Sequence, residues 1–237
     1  FSTEETKTIS TTMGGMAVTD DPELADRLRR FQAGCGTPPT SLVARYVLKL
    51  AAYHLLTEPH LHRMTRVAYE VFGRRNPLPG PTVEAERAGR RPAGYARRLG
   101  NAQAALGLRQ LRRLDRNVAH RRRVSQIYRS GLAHAGIVGV RPPERAEPVF
   151  VRYPVWVADR AEAVARLRPR AVAGTWFTSV LGESSDPAAV GYEAGSCPRA
   201  EAAAQHLVNL PTHERVSVGD AERLVELIRP LAADPPV

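Results

Sequence analysis

The feature that most limits what this chain can fold into is a long helical pattern running from about Leu99 to about Leu132. Arg109, Arg112, Arg113 and Arg116 recur at the i, i+3, i+4, i+7 spacing that lines one side of a helix, while Leu108, Leu111, Leu114 and Val118 fall on another side. An amphipathic helix of this kind must lay its apolar side on something and leave the arginines in water. The same stretch holds the chain's charge. Between Arg87 and Arg129 stand 13 Arg against one acid, Asp115, in a protein whose whole formal charge is +10, so the remainder is slightly acidic. Clustered arginine attracts phosphate, but the only aromatics in the stretch are Tyr95 and Tyr128. Stacking platforms for single strands are therefore missing, and a solvated helix face is the reading taken over nucleic-acid binding.

The length of 237 residues suits one large domain or two small ones. No apolar run approaches the ~18 residues a spanning helix needs. Cys35 and Cys197 cannot make a disulfide framework, and no CxxC pair suggests zinc. The chain opens Phe-Ser-Thr-Glu-Glu, with neither Met nor a basic start and apolar core, so no signal peptide is read. The expectation is a cytoplasmic protein, of which this chain is a part.

Along the chain, residues 14–19 read as a loop feeding a short strand, and Asp20-Asp21-Pro22-Glu23 opens a helix reaching about Phe31. Ser41 to Leu56 is helical in pattern, with Val43, Tyr46, Val47, Leu50, Ala51, His54 and Leu55 on one stripe. A second helix is predicted over 60–72, and 74–92 is a Pro-rich loop; together, residues 33–93 form a helical insertion. Arg45, Lys49 and Arg63 flank its apolar faces, which raises membrane-surface contact for 41–72 as the alternative to packing on the parent domain or a partner subunit.

Further on, Val149, Val151, Tyr153, Val155 and Val157 alternate as a strand, and Pro154 places it at an edge or bulge. Asp159–Leu167 reads as a helix, Val172–Phe177 as extended, 179–198 as a long loop and Val208–Leu210 as a strand. Val218–Leu231 is a closing helix with Val218, Leu224, Leu227 and Ile228 inward. Strand, helix, strand, helix describes a small α/β domain.

There is no GxGxxG, Walker loop, HExxH or GxSxG. His60 and His62, two apart on a helix, point away from each other and would not chelate a metal; Cys35 and Cys197 read as small buried residues. One segment stands out. Lys7 is one of only two lysines, the other being Lys49, and it sits among hydroxyl residues just before the Gly14-Gly15 pair. A lysine amine can condense with a carbonyl cofactor, and neighbouring hydroxyls can bond phosphate oxygens.

The segment FSTEETKTISTTMGGMAVTDD resembles the Schiff-base lysine region of the DegT/DnrJ/StrS-type sugar aminotransferases, whose pattern is Phe-Ser, four residues, Lys, a Thr-rich turn, Gly-Gly and Thr-Asp-Asp. Two further blocks match in order. They are Gly94-Tyr95-Ala96-Arg97-Arg98-Leu99 with the helix after it, against the family's Gly-Tyr-Asn-Tyr-Arg-Met, and Leu210-Pro211-Thr212-His213 with the final helix. The three blocks span nearly the whole chain.

The resemblance implies a type I pyridoxal-phosphate-dependent transferase fold, α/β and incomplete here. Residues 1–132 would be the remainder of the large domain, with insertion 33–93 and long helix 99–132, and 133–237 a small C-terminal domain. Lys7 would hold pyridoxal 5'-phosphate as a Schiff base and shuttle the proton, Ser2 would bond its phosphate, and Arg98 would reach the partner subunit's site in a homodimer. The substrate would be a keto-sugar, usually nucleotide-linked, and the amino donor commonly glutamate, in sugar, polysaccharide or secondary-metabolite synthesis. No metal is implied.

This chain departs from the pattern at three points. The family's Asn is Ala96, its Tyr is Arg97, and the usual Gly-Glu before the Gly pair is Thr12-Met13. The alternative these raise is a degenerate homologue that binds without chemistry. The family's cofactor-binding Asp, stacking aromatic and glycine-rich turn precede the lysine, and the chain starts six residues before Lys7. The expectation is that these 237 residues alone bind cofactor poorly and act within a longer protein.

Overall fold

A computed structural model describes residues 1–4, 6–56, 85, 89–92, 94–182, 187–188 and 191–235. The helix predicted over 60–72, His60 and His62 lie outside these residues, as does most of the 74–92 loop. The chain divides into two compact units, Phe1–Leu114 and Asp115–Val237.

Among the described residues the first unit holds a loop around Lys7 and the helices α1 (Pro22–Gly34), α2 (Thr40–Leu56) and α3 (Asn101–Leu111). α1 begins where the sequence placed it. The Asp21 carboxylate accepts the amides of Glu23 and Leu24 at 2.9 and 3.1 Å, and Pro22 occupies the first turn, where its missing N–H costs nothing. The short strand expected within 14–19 reduces to a single bridge between Ser2 and Gly15. α2 and α3 are in contact, with Gly100 against Val43: a Cβ there would stand 2.7 Å from Val43 Cγ2. Among the described residues no helix is long and apolar enough to cross a membrane.

The two sides of the insertion meet at its base. Gly36 N–H donates to Ala96 O at 3.2 Å and Arg98 N–H to Gly36 O at 2.9 Å, a parallel bridge centred on Gly36 and Arg97. The bridge joins the segment after α1 to the segment before α3.

The second unit is built from α4 (Leu114–Ala133), β1 (Arg152–Trp156), α5 (Arg160–Leu167), α6 (Pro198–His206), β2 (Leu207–Pro211) and α7 (Val218–Ile228). β1 and β2 pair antiparallel, from Arg152 opposite Pro211 to Trp156 opposite Leu207. The predicted alternation holds for Tyr153, Val155 and Val157, which point into the core with Val208 and Leu210, while Val149 and Val151 precede β1 and are half-buried. From α4 come Val124, Tyr128 and Leu132; from α7, Ala221, Leu224, Val225 and Ile228. Tyr128 is wholly buried, and its hydroxyl donates to Pro211 O at 2.7 Å, joining α4 to the end of β2. Pro154 lies on a strand whose ladder has one partner, where a missing N–H can face outward.

Four expectations are corrected. The single helix over 99–132 is two helices. Arg112 N–H reaches Leu108 O at 3.2 Å, Arg113 N–H reaches Gln110 O at 2.9 Å, and α4 starts afresh at Leu114. The cause is packing: α3 serves the Lys7 loop, whereas α4 buries Val124, Tyr128 and Leu132 in the other unit. The Leu side of that stretch is not the buried one, since Leu108 and Leu111 are exposed. In α7, Val218 is exposed and Leu227 half-buried, because Ala221 and Val225 complete the inward face instead. The last is an omission: α6 follows the predicted loop, where no helix was expected.

Candidate functional site

The Lys7 loop is a short hairpin with a projecting tip. The Phe1 ammonium donates to Met16 O at 2.6 Å and Met16 N–H returns to Phe1 O at 2.8 Å. Thr3 N–H donates to Gly14 O at 3.0 Å and Thr11 N–H to Thr3 O at 2.8 Å. The hydroxyls of Thr3 and Thr11, both buried, lie 2.7 Å apart and close the neck. Beyond that neck, Lys7 N–H turns back onto Glu4 O at 3.0 Å. Lys7 and Ser2 are both exposed on this one loop. Glu4 Oε2 accepts the Thr6 hydroxyl at 2.7 Å, while Glu4 Oε1 is buried without a hydrogen-bond partner.

α3 grips the loop from one face. Gln103, nearly fully buried, donates through Nε2 to Thr11 O at 2.9 Å and Met13 O at 3.0 Å. Two turns later Gln110 makes a paired contact with the Ser10 backbone: Nε2 donates to Ser10 O at 2.6 Å, and Oε1 accepts Ser10 N–H at 2.9 Å. Gly107 lies between them on the same face, where a Cβ would stand 3.2 Å from Thr11 Cγ2. Positions 103, 107 and 110 are spaced i, i+4, i+7, so one helix side meets the loop backbone. Sequence reasoning gives none of these three a site role, although Gln103 and Gln110 fall in the helix of the second matched block, against the family's Gln-Ala-Ala and Gln-Leu. Their spacing is the available signal, but glutamine mostly faces water.

Thr12 carries a cost. It adopts φ +71°, a left-handed conformation that a β-branched residue avoids. The resembled pattern has Gly here, which takes this conformation without penalty. The structure compensates by burying Thr12, whose hydroxyl donates to Tyr46 O at 3.0 Å and whose N–H donates to Ser10 Oγ at 3.3 Å.

Arg98 is at the insertion neck, exposed, with Nη2 donating to Thr37 Oγ1 at 3.3 Å. The structure thus brings Ser2 and Lys7 onto one loop and holds Arg98 elsewhere in the same unit, with no described contact between them. Among the described residues no group of three His, Cys, Asp or Glu could hold a metal ion.

The loop's anchoring gives a direct expectation. Gln110→Ala removes both contacts to Ser10 and should loosen residues 6–11 by about 1–3 kcal/mol. Amide exchange at Ser10 and Thr11 should accelerate while the second unit is unchanged; unaltered exchange would show that α3 does not hold the loop.

The sequence model of the DegT/DnrJ/EryC1/StrS aminotransferase family matches residues 1–229, and the chain belongs to that family. Among curated relatives, Protein Rv3402c of Mycobacterium tuberculosis is 31% identical over 150 residues, covering 57% of this chain and 34% of that protein. The chain spans about a third of the length of the curated relatives it matches. Among solved structures it is similar to S. venezuelae DesV in complex with a ketimine intermediate, at 25% identity and TM-score 0.49, over 73% of this chain and 44% of that one. It is also similar to the aminotransferase TlmJ from Streptoalloteichus hindustanus, at 30% identity and TM-score 0.45, over 54% and 35%. Membership brings the fold class with it: this chain is part of a pyridoxal-phosphate-dependent transferase fold.

Proposed function

We propose that the full-length protein is a pyridoxal-phosphate-dependent aminotransferase acting on a keto-sugar, and that Lys7 anchors the cofactor. The observation that supports this reading is the Lys7 loop itself: an exposed amine at the tip of a hairpin whose neck and sides are fixed by Thr3, Thr11, Gln103 and Gln110. The donor set suits an aldehyde and a phosphate, with a primary amine on Lys7 and a hydroxyl on Ser2, both turned to solvent. Bound pyridoxal phosphate supplies an electron sink for exchanging an amino group with a carbonyl.

The chain's own residues do the rest. Lys7 holds the cofactor through Nζ and later moves a proton at Nζ to and from the substrate carbon. A rigid neck favours that transfer, because a proton shuttle must stay within hydrogen-bond reach. The Ser2 hydroxyl donates to a phosphate oxygen. Arg98 serves the partner subunit's site in a homodimer, with Arg97 beside it supplying charge where the family pattern has Tyr. The reading extends to a nucleotide-linked keto-sugar, glutamate as donor, and a cytoplasmic enzyme of sugar, polysaccharide or secondary-metabolite synthesis.

The test is reductive trapping. Borohydride treatment of the full-length protein with pyridoxal phosphate should place the cofactor's mass on the peptide containing Lys7. Lys7→Ala should abolish that adduct and slow transamination on the order of a thousand-fold or more. An untrapped wild-type protein, or an adduct that survives Lys7→Ala, refutes the assignment.

A further inference from the structure

Among the described residues Thr12 alone, glycines aside, adopts a positive φ, and it lies on the Lys7 hairpin itself. Enforcing that conformation on a residue with a Cβ disfavours it roughly 5- to 150-fold. One buried hydrogen bond returns roughly 2- to 12-fold. At the middle of these ranges strain wins, so the bond from the Thr12 hydroxyl to Tyr46 O does not hold the residue alone. α3 supplies the rest. Gln103 takes the carbonyls on both sides of Thr12, Thr11 O at 2.9 Å and Met13 O at 3.0 Å. Thr12 is 2% exposed, its backbone fixed from α3 and its side chain from α2.

The α2 half of this clasp is itself anchored. Val43, one turn before Tyr46, packs on Gly100 at the start of α3. Tyr46 lies within α2, where the helical pattern already assigns its carbonyl an amide four residues on. The Thr12 hydroxyl meets the second lone pair of that oxygen. Its loss would strand no acceptor, so the bond sets position rather than satisfying an obligatory group. On the hairpin, Thr12 stands between Thr11, whose N–H reaches Thr3 O at 2.8 Å, and Gly14, whose carbonyl takes Thr3 N–H at 3.0 Å. A shift of residue 12 pulls on both bonds that close the neck below Lys7.

Simple packing of α2 on the hairpin needs no strained residue at the contact, and glycine would take this φ without cost. What threonine adds is a side chain whose hydroxyl meets α2. We propose that Thr12 is a positioning residue for Lys7, and that its hydroxyl makes the hairpin presenting the Lys7 amine depend on the seating of α2. Thr12 acts through the Thr11–Gly14 backbone and touches no reacting atom. The role rests on the aminotransferase reading, which gives the Lys7 amine a reaction to be positioned for.

The experiment uses the full-length protein and three variants. Thr12→Val keeps the shape and the strain but not the hydroxyl, Thr12→Ser keeps the hydroxyl, and Thr12→Gly removes strain and hydroxyl together. Amide exchange is followed at Thr11, Thr12 and Met13, and kcat and KM are measured for transamination. Thr12→Val should speed exchange at those amides roughly 2- to 12-fold. It should lower kcat about five-fold or more while KM stays within about two-fold. Thr12→Ser should restore both. Ala44→Gly, exposed on α2, weakens that helix without removing a side-chain contact. It should speed hairpin exchange in wild type and add nothing in Thr12→Gly, which keeps the proposal open to refutation if Thr12→Val fails to fold. Unchanged exchange or unchanged kcat in Thr12→Val overturns the proposal. So does a Thr12→Ser protein no better than Thr12→Val, or an Ala44→Gly effect equal in the wild-type and Thr12→Gly backgrounds. Exchange is read without turnover, so failure of the Lys7 trap leaves the α2 coupling measurable, and failure of the coupling leaves the trap standing.

Discussion

Replacing Tyr128 with Ala is expected to destabilise the second unit by about 3–5 kcal/mol, a large share of the ~5–15 kcal/mol that holds a typical domain together. Tyr128 is fully buried, and its ring centroid lies 5.5 Å from that of Tyr153. The truncation empties the space between α4 and the sheet and strands Pro211 O, which the hydroxyl meets at 2.7 Å. Tyr128→Phe separates these effects: keeping the ring and losing the bond should cost about 1–3 kcal/mol, the penalty for an unsatisfied buried acceptor. Burial first, and then Asp220, raise the Tyr128 pKa well above the ordinary tyrosine value, so the phenol stays neutral and keeps donating across the working pH range. Urea unfolding followed by tryptophan fluorescence checks both variants. Equal midpoints for the two would show that the hydroxyl, not the ring, carries the packing.

The second large effect belongs to Gly14. Its φ is +138°, a region that residues with a Cβ avoid, and an added Cβ would stand 2.7 Å from Leu99 Cδ1 and 3.2 Å from each of the Thr3 and Thr11 hydroxyls. The leucine methyl can swing aside, but the backbone strain and the crowded threonine pair remain. Gly14→Ala should cost the Lys7 hairpin about 1–3 kcal/mol, the usual penalty of an enforced backbone outlier. It should also speed amide exchange at Thr3 and Thr11, and full-length protein should retain cofactor less well on dilution. Gly219→Ala is the matched control, since no atom lies within 4 Å of its Cβ position and its φ is not left-handed. Equal effects in the two variants would remove the argument that Gly14 sets the neck.

What is legible in the sequence follows from how local each signal is. Asp21 with Pro22, and Asp159 ahead of α5, are side-chain caps acting within one turn, and they read true. So does the period-2 pattern of Tyr153, Val155 and Val157, because one face of a two-stranded sheet must be buried. The break at Arg112 and Arg113 is not legible. Both residues favour helix, and the interruption comes from which unit each side packs against. α6 is invisible for a different reason. It is rich in alanine, and Ala204 is its one buried residue, so it has no apolar period to detect. At the Lys7 loop the motif places the lysine, but the grip of Gln103 and Gln110 depends on a helix nearly 100 residues further along. Arg121 reads as one more solvated arginine because its three neutral acceptors come from its own helix, from β1's approach and from the turn after β2.

The pinned neck at Gly36 and Arg98 has a consequence for how this chain can change over time. With the ends of the insertion fixed by backbone hydrogen bonds, the closure entropy of the chain between them rises only logarithmically, about 0.6 kcal/mol for each doubling of length. Length and composition there can therefore drift at little thermodynamic cost. α2 is the exception, since its Tyr46 O accepts the Thr12 hydroxyl and its Val43 packs on Gly100. Changes within α2 would therefore reach the loop that holds the lysine, whereas the closed neck makes changes of length between its ends cheap.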